Sequence, residues 1–360
     1  MSRAVRACID LGALRHNFQQ VRKAVGAAQI LSVVKADAYG HGSQAVATAL
    51  MDGDGFGVAS VDEAVLLREL GVHKPIVVFG SFSSATEVPV LLQHDIAPMV
   101  HCREQLELLE QTSCSGQCDV WIKIDTGMHR VGFDEAEVGT IISNTQRCAS
   151  VRRVLLMSHL ANADDPEDPF SRQQIATFRR CTDGRGLDRS VANSAGVVAW
   201  PASHFDWVRP GVMLYGVSPL RSQTGTELGL RPVMTLKSEV IALKTVLEGE
   251  HVGYGGAWTA KRTARLAVVA CGYGDGYPRH TAAKSAVLID GRRAPIAGRV
   301  SMDLMSVDVS MHPNVALGDE VILWGSGLAV EEVADNAATI GYEILCGVTK
   351  RVPRIYIGEA

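Results

Sequence analysis

A lysine stands where an apolar run gives way to a glycine-rich turn, in the segment SVVKADAYGHG of residues 32–42. Lys35 follows the apolar residues, and a phenol, an imidazole and two glycines come after it. A lysine at a strand end usually points into solvent. In a partly desolvated pocket, however, a lysine loses its proton more easily and can form a Schiff base with an aldehyde. The aldehyde that this chemistry suggests is pyridoxal phosphate, with Lys35 as its candidate attachment site.

Such a cofactor needs a phosphate site, a partner for its ring nitrogen and acid–base groups around the reacting carbon. The segments VANSAGVVAW and WVRPGVMLYG resemble late strand-to-loop transitions, where barrels often bind phosphate through backbone amides. Ser194 can supply a hydroxyl there, and Gly211 and Val212 can supply their amides. Arg209 would then lie beside the same cofactor. A tight turn with its φ fixed by Pro210 explains either motif at least as well.

Two further apolar runs end in polar groups that could reach the same pocket. The segments KIDTGMHRVGFD and SHLANAD contribute Arg130, His159 and Asp164. A single histidine is more often a satisfied core residue than a catalyst. If these runs are strands of one barrel, however, all of the strand ends meet at one mouth.

Short apolar runs recur up to about residue 220, with helix-like stretches between them. Continuous apolar runs are typical of strands buried on both faces, so the pattern predicts a parallel sheet with crossover helices. We therefore predict an α/β protein with an N-terminal (β/α)8 TIM barrel. The stretches LGALRHNFQQVRKAV and SVDEAVLLREL carry apolar residues at helical spacing and fit the outer ring of helices.

The pattern changes after residue 224. Segments rich in β-branched residues follow, joined by Gly and Asp turns, and only VEEVADNAATIGYEIL has the spacing of a convincing helix. We predict a cofactor-binding barrel domain at residues 8–224 and a mainly β C-terminal domain at residues 225–360.

Composition excludes several other classes of protein. The 360 residues are 47% apolar and 21% charged, which allows a large core, and the net charge is −4. No basic run would hold a phosphate backbone, so we expect no nucleic-acid partner. No apolar segment reaches the ~18 residues of a membrane span, and the first residues lack a signal-peptide pattern, so we expect a cytoplasmic protein without membrane contact. The eight scattered cysteines fit reduced thiols and no metal site.

The chain resembles the alanine racemases along nearly its whole length. VVKADAYGHG matches the pyridoxal phosphate attachment motif of that family. Further matches follow in order in DTGMHRVGF, SHLANAD, NSAG, VRPGVMLYG, VGYGGAWTA, GYGDGYPR, GRVSMDL and RVPRIY. The resemblance implies an isomerase of fold type III that interconverts L-alanine and D-alanine. It also implies a homodimer with shared active sites, in which residues 1–7 join the C-terminal domain.

The resemblance further implies roles for individual residues. Lys35 would bind the cofactor covalently and act as one of two bases, and Tyr254 of the partner subunit would be the opposing base. Arg209 would contact the pyridine nitrogen with support from His159. The phosphate would be held by Tyr39, Ser194, Tyr342 and the amides of Gly211 and Val212. The substrate carboxylate would be bound by Arg130 and the amide of Met302. The access channel would be lined by Tyr273, Asp164, Arg279 and Arg299.

Arginine at the ring nitrogen has a chemical consequence. A guanidinium cannot protonate the ring as a carboxylic acid would, so the cofactor is a weaker electron acceptor and transamination is suppressed. A basic-amino-acid decarboxylase of the same fold type would pair that nitrogen with a carboxylate, so Arg209 argues against this alternative. A second alternative is a barrel protein that carries the cofactor without turnover, but such relatives lack the second domain and its tyrosine.

The sequence leaves open the roles of two residues and the choice of substrate. Lys123 aligns with a lysine that is carbamylated in some relatives, where the new carboxylate orients the counterpart of Arg130. Trp258 stands where relatives often have another aromatic, and we assign it no function. Tyr254 and Tyr342 would leave room for little beyond a methyl group, which favours alanine, with serine as a slow second substrate. The same catalyst would serve either D-alanine supply for peptidoglycan or D-alanine catabolism.

Overall fold

The first strand of the chain lies outside the barrel. Strand β1 (Arg6–Asp10) pairs in parallel with residues 354–357 and antiparallel with residues 234–237. Both partner segments belong to the second half of the chain. Asp10 then accepts a hydrogen bond from the amide of Ala13 and so caps helix α1 (Leu11–Val25). The bounds of α1 agree with the predicted helical segment.

Eight parallel strands close into a barrel, which confirms the predicted fold class. The computed structural model describes residues 4–80, 82–112, 114–281 and 285–358. The first and last barrel strands pair through Gln29 and Trp207, which closes the cylinder. The barrel strands are β2 Gln29–Val33, β3 Gly55–Val58, β4 Ile76–Val78, β5 Ala97–Val100, β6 Cys118–Lys123, β7 Val151–Met157, β8 Arg189–Ser190 and β9 Trp207–Val208.

The barrel interior is filled by its own apolar cluster. Trp121 and Trp207 meet there edge to face with ring centroids 5.8 Å apart. The cluster contains Leu31, Val77, Ala97, Met99, Trp121, Leu155, Met157 and Trp207. Alternate residues of the same strands pack outward against the helices, so both faces are buried. This double burial is the reason that the strands have continuous apolar sequences.

The helices that cover the barrel follow its strands in order. They are α2 Ser43–Ala49, α3 Val61–Glu69, α4 Glu87–Gln93, α5 Arg103–Gln111, α6 Val138–Arg147, α7 Phe170–Thr182 and α8 Ser194–Ala199. Short 3-10 helices occur at Glu135–Glu137, Pro201–Ser203, Val212–Tyr215, Tyr254–Gly256 and Tyr273–Asp275. In the part of the chain that the structure describes, none of the helices is both long and apolar enough to cross a bilayer.

The second half of the chain is mainly β, as predicted. Its strands are β10 Met234–Val246, β11 His251–Val252, β12 Trp258–Thr259, β13 Ala264–Val269, β14 Ala286–Ile289, β15 Arg292–Pro295, β16 Met305–Asp308, β17 Glu320–Trp324 and β18 Arg354–Ile357. The longest of them, β10, lies inside a sheet with the order β15-β14-β17-β10-β1-β18, and β13 connects β10 to β16. Strands β11 and β12 form a separate hairpin. The domain limits at residues 224 and 225 stay a prediction.

The single helix predicted from VEEVADNAATIGYEIL is wrong. Two helices occur instead, α9 (Val330–Asn336) and α10 (Gly341–Cys346). Ala338 between them adopts a φ of +54°, which ends the right-handed helix. Gly341 then approaches Val217 so closely that a Cβ at Gly341 would lie 2.8 Å from a valine methyl. Helical spacing alone cannot detect such a break, because both halves keep an apolar face.

Candidate active site

A cavity of about 590 Å³ opens at the C-terminal ends of the barrel strands. Five barrel strands contribute predicted residues through the segments that follow them, which is the convergence expected of a barrel mouth. The predicted residues in the cavity wall are Lys35, Tyr39, Arg130, His159, Ser194, Arg209, Gly211, Val212 and Tyr342. Lys123, at the end of β6, lines the same cavity.

The segment Lys35–Gly40 forms a helical turn of left-handed sense, which we call the lysine turn. Its four central residues, 36–39, have φ between +52° and +54°. For L-residues this conformation costs about 1–2 kcal/mol each, so other contacts must stabilise it. Buried His41 supplies one such contact, because its Nδ1 lies 3.0 Å and 2.9 Å from the carbonyl oxygens of Ala38 and Tyr39. Burial lowers the pKa of His41 to about 4, so a neutral ring donates its Nδ1 proton to these carbonyls.

The polar residues after Lys35 therefore have different tasks. Asp37 accepts a hydrogen bond from the amide of Ser43 at 2.8 Å and fixes the start of α2. Tyr39 faces the cavity, whereas His41 is fully buried and stays outside the cavity wall. Lys35 itself is solvent-accessible through the open mouth. Partial burial and, second, the nearby Arg130 cation still lower the pKa of Lys35, which favours the nucleophilic amine.

Arg209 is buried at the base of the cavity. Its Nη atoms donate to Ser190 Oγ (2.6 Å) and to the carbonyl oxygens of Ser158 (2.6 Å) and Val191 (3.2 Å), and Nη2 lies 3.3 Å from Nδ1 of His159. Burial lowers the pKa of Arg209 to about 9, so it stays a cation at neutral pH. Burial and the Arg209 charge hold the pKa of His159 well below its usual value, so a neutral imidazole accepts this hydrogen bond.

Another part of the cavity wall is built from close backbone and tyrosine contacts. Ser194 Oγ accepts the amide protons of Gly211 at 2.8 Å and Met213 at 3.4 Å, which leaves its hydroxyl proton available. A Cβ at Gly211 would lie 2.5 Å from the Tyr39 hydroxyl, so only glycine fits there. Within the described chain the amide of Val212 has no partner, as expected at the start of a 3-10 helix.

Basic side chains, and not acidic ones, line the described part of the cavity. Lys35, Lys123, Arg130 and Arg209 all line it, and among the residues that the structure describes no Asp or Glu does. Burial, followed by the charges of Arg209 and Arg130, lowers the pKa of Lys123 to about 7. A pocket with this charge distribution favours an anionic ligand.

Several predicted residues lie elsewhere on this chain. Tyr254 and Met302 belong to the C-terminal domain, are 66% and 52% exposed, and do not line the cavity. Asp164 forms an ion pair with Arg221 (2.5 Å) beside a neighbouring cavity. Other members of the predicted access channel are also on the C-terminal domain, where Arg279 and Arg299 line a groove with Trp258 and where Tyr273 is 38% exposed.

The cavity wall also contains residues that the motifs did not single out. His101 comes directly after β5, so the strand-end rule that found Lys35 applies to it as well. Asn193 precedes Ser194 and caps α8 by accepting the amide proton of Gly196. Cys346, at the end of α10, reaches the cavity from the second domain, and no local pattern in the sequence marks it.

Known proteins resemble this chain along its whole length. Family models described as the N-terminal and C-terminal domains of alanine racemase match residues 9–219 and 233–356. An alanine racemase of Vibrio parahaemolyticus is 46% identical over 98% of this chain and 99% of its own length. The biosynthetic alanine racemase of Pseudomonas aeruginosa is 44% identical, and its crystal structure aligns with a TM-score of 0.96 over 99% of both chains.

A third relative is described together with the cofactor. The crystal structure of alanine racemase from Bartonella henselae with covalently bound pyridoxal phosphate aligns with a TM-score of 0.88 at 31% identity. The alignment covers 98% of this chain and 99% of that one. These matches span both domains and decide against a decarboxylase and against a single-domain cofactor carrier. This chain therefore belongs to the alanine racemase family of isomerases.

Proposed function

We propose that the protein interconverts L-alanine and D-alanine with pyridoxal phosphate bound at Lys35, by a mechanism with two bases. The observation that carries the proposal is the cavity itself. It combines a lysine of lowered pKa at a strand end with two arginines, and its described wall contains no carboxylate side chain. A phosphate group and an amino-acid carboxylate are the anions that such a pocket would accommodate together.

The residues of the cavity fit the cofactor. Ser194 has an available hydroxyl proton, Val212 an unused amide and Tyr39 a hydroxyl against Gly211, which together suit a phosphate. The amide of Gly211 is engaged by Ser194 Oγ, so its predicted contact with phosphate would require that hydrogen bond to be shared. Tyr342 packs 6.0 Å from Tyr39 between ring centroids and completes this corner.

Arg209 suits the ring nitrogen of the cofactor. Among the residues described, its Nε makes no hydrogen bond, whereas both Nη atoms are held by the protein. A fixed guanidinium with an unused Nε–H can donate to a ring nitrogen but cannot protonate it. When bound, pyridoxal phosphate withdraws electrons from the α-carbon and so makes the α-proton of the substrate removable.

The two bases would approach the α-carbon from opposite faces. Lys35 would remove the α-proton of D-alanine, and Tyr254 of the partner subunit would remove that of L-alanine. The exposure of Tyr254 and its separation from the cavity support a homodimer in which each site is completed by the second chain. In one direction of the reaction Lys35 would remove the proton and Tyr254 would return one, and in the other direction the two groups would exchange these tasks. One enzyme can therefore supply or consume D-alanine.

Arg130 and the amide of Met302 would bind the substrate carboxylate. Arg130 lines the cavity and forms no ion pair within the described chain. Lys123, with a pKa of about 7, is largely neutral at pH 8. A neutral amine adds to the carbon of CO2 and releases one proton to solvent, which gives a carbamate. We therefore propose a carbamate on Lys123 that pairs with Arg130. Carbon-13 NMR of protein equilibrated with labelled bicarbonate should show a carbamate signal that Lys123→Met abolishes.

Borohydride reduction tests the cofactor assignment. The purified protein should absorb visible light, and reduction should fix the pyridoxyl group on Lys35, as located by peptide mass spectrometry. Incubation with L-alanine in D2O should then show α-proton loss in the unreduced enzyme only, as followed by proton NMR. Recovery of the label on another lysine would refute the assignment.

A further inference from the structure

Glu63 connects two strand ends of the barrel through its carboxylate. It lies in the first turn of α3 and is half-buried. Its Oε1 accepts the amide proton of Ala36 at 2.7 Å, and its Oε2 accepts that of Ala59 at 2.7 Å. Ala36 directly follows Lys35, and Ala59 directly follows β3 and lines the cavity.

The hydrogen bond to Ala36 acts at the most demanding point of the lysine turn. Ala36 is the first residue with positive φ, so the chain changes handedness at the peptide that joins it to Lys35. A charged acceptor on that N–H makes a strong hydrogen bond and sets the plane of this peptide. The plane of the peptide in turn determines the direction in which the Lys35 side chain leaves the backbone.

A purely structural role would be the capping of α3. The residues Ser60 and Glu63 have the spacing of a capping box, in which the glutamate returns to the amide of the cap residue. Ser60 does cap the helix, because its side chain accepts the amide proton of Glu63 at 3.2 Å. The Glu63 carboxylate, however, passes over the Ser60 amide to Ala59 and also reaches across to Ala36. Helix capping requires no contact with Ala36.

We propose that Glu63 is a positioning residue for Lys35, which holds the peptide after the lysine and so aims its amine at the α-carbon of the substrate. The proposal rests on the proposed role of Lys35 as a base. The charge of Glu63 also opposes the lowering of the Lys35 pKa by burial and by Arg130. Position and charge therefore have to be separated by experiment.

Two variants of Glu63 and one matched control make this separation. Glu63→Gln removes the charge and turns an NH2 group toward one of the two amides. Glu63→Asp keeps the charge but is too short to reach both amides. Ser60→Ala weakens the cap of the same helix by about 1 kcal/mol without any link to Ala36. All three proteins are measured as holoenzymes saturated with pyridoxal phosphate.

We expect both Glu63 variants to lower kcat at least tenfold, with KM for alanine changed less than threefold. Exchange of the α-proton in D2O should fall more for D-alanine than for L-alanine, because Lys35 serves D-alanine. Amide hydrogen exchange of the peptide that contains Ala36 should accelerate in both variants, which is a readout independent of turnover. Ser60→Ala should keep wild-type values in all three measurements while its melting temperature falls.

Two results would overturn the positioning role. One is a Glu63→Asp enzyme with wild-type kcat, which would mean that Glu63 acts on Lys35 through its charge and not by holding the peptide. The other is Glu63 variants whose rates and amide exchange match those of Ser60→Ala, which would leave only helix capping. A failure of the proposed function looks different, because the wild-type enzyme and Ser60→Ala would then not carry the cofactor on Lys35.

Discussion

Lys123 shows at the scale of a single residue how burial sets charge in this site. Its pKa is lowered to about 7 by burial, then by Arg209 and Arg130, whereas a lysine in an unfolded chain has a pKa of about 10.4. Between these two values the unfolded chain binds more protons than the folded one. The free energy of unfolding therefore rises with pH across this window, and below pH 7 the folded protein carries the full cost of the buried cation.

Replacement of Lys123 by Met should remove this dependence. We expect Lys123→Met to raise the free energy of unfolding at pH 7 and to flatten its increase between pH 7 and about pH 10. Urea denaturation in CO2-free buffer, at equal saturating pyridoxal phosphate, measures both effects. Lys23→Met, at an exposed position of α1, serves as the control and should leave the slope unchanged. An unchanged slope in Lys123→Met would contradict the assignment.

Removal of the Tyr254 hydroxyl should separate the two directions of the reaction. Because Tyr254 is largely exposed on the isolated chain, Tyr254→Phe should leave the fold intact. We expect exchange of the α-proton from L-alanine to fall about 100-fold or more, as for loss of a general base, while exchange from D-alanine survives in part. Proton NMR in D2O measures both rates. Equal losses for both enantiomers would argue against a base on one face only.

At the scale of elements, the lysine turn is held from outside as well as by its own hydrogen bonds. Gly40 closes the turn with a φ of +79°, and α10 of the second domain packs directly on it. A Cβ at Gly40 would lie 2.4 Å from the carbonyl oxygen of Leu345. The position therefore needs glycine for two reasons, its backbone conformation and the close approach of α10.

Gly40→Ala and Gly71→Ala together separate these two reasons. Gly71 has a similar φ of +82°, but a Cβ there would meet no atom within 4 Å. Gly71→Ala should therefore cost only the strain of about 1–2 kcal/mol. Gly40→Ala should cost about 1–3 kcal/mol more, because α10 must shift, and it should also weaken cofactor binding. Urea denaturation and cofactor titration measure these effects, and equal losses in both variants would show that the contact with α10 is unimportant.

Across the whole molecule, the C-terminal domain holds the lysine turn of its own chain through two hydrogen bonds. Arg354 donates from Nε to the carbonyl oxygen of Gly40 at 3.1 Å, and the Tyr356 hydroxyl donates to the carbonyl oxygen of His41 at 3.2 Å. Both side chains come from β18, which pairs with β1. The second domain thus holds the lysine turn in position, while it presents Tyr254 on a surface away from that cavity.

Mixed dimers test whether Tyr254 acts in the site of the other chain. Lys35→Ala and Tyr254→Ala homodimers should both be inactive. A heterodimer of the two would carry both defects in one site and neither in the other, so each heterodimer should show up to about half of the wild-type activity. Differently tagged subunits and native mass spectrometry verify the exchange. A mixture that has exchanged subunits but stays inactive would mean that both bases lie on one chain.

The architecture and most of the cavity could be predicted from the sequence. Continuous apolar runs indicated strands buried on both faces, and the residues at the ends of those runs, Lys35, Arg130, His159, Ser194 and Arg209, line one cavity. This worked because in a parallel barrel the strand direction places every C-terminal end at the same mouth. The motif order also identified the family, which no single spacing could have done.

The conformation of the lysine turn could not be predicted, because contacts between distant segments hold it. Left-handed backbone at residues 36–39 has no local sequence signal, because alanine, aspartate and tyrosine rarely adopt it on their own. It persists because groups distant in sequence stabilise it, namely Glu63 on a neighbouring helix and Arg354 and Tyr356 on the last strand. Between α9 and α10 as well, a contact with a distant segment occurs, because Gly341 lies close to Val217 of the barrel domain. Contacts between distant segments form only when the chain folds. Neither hydrophobic periodicity nor a local motif can therefore predict which residues make them.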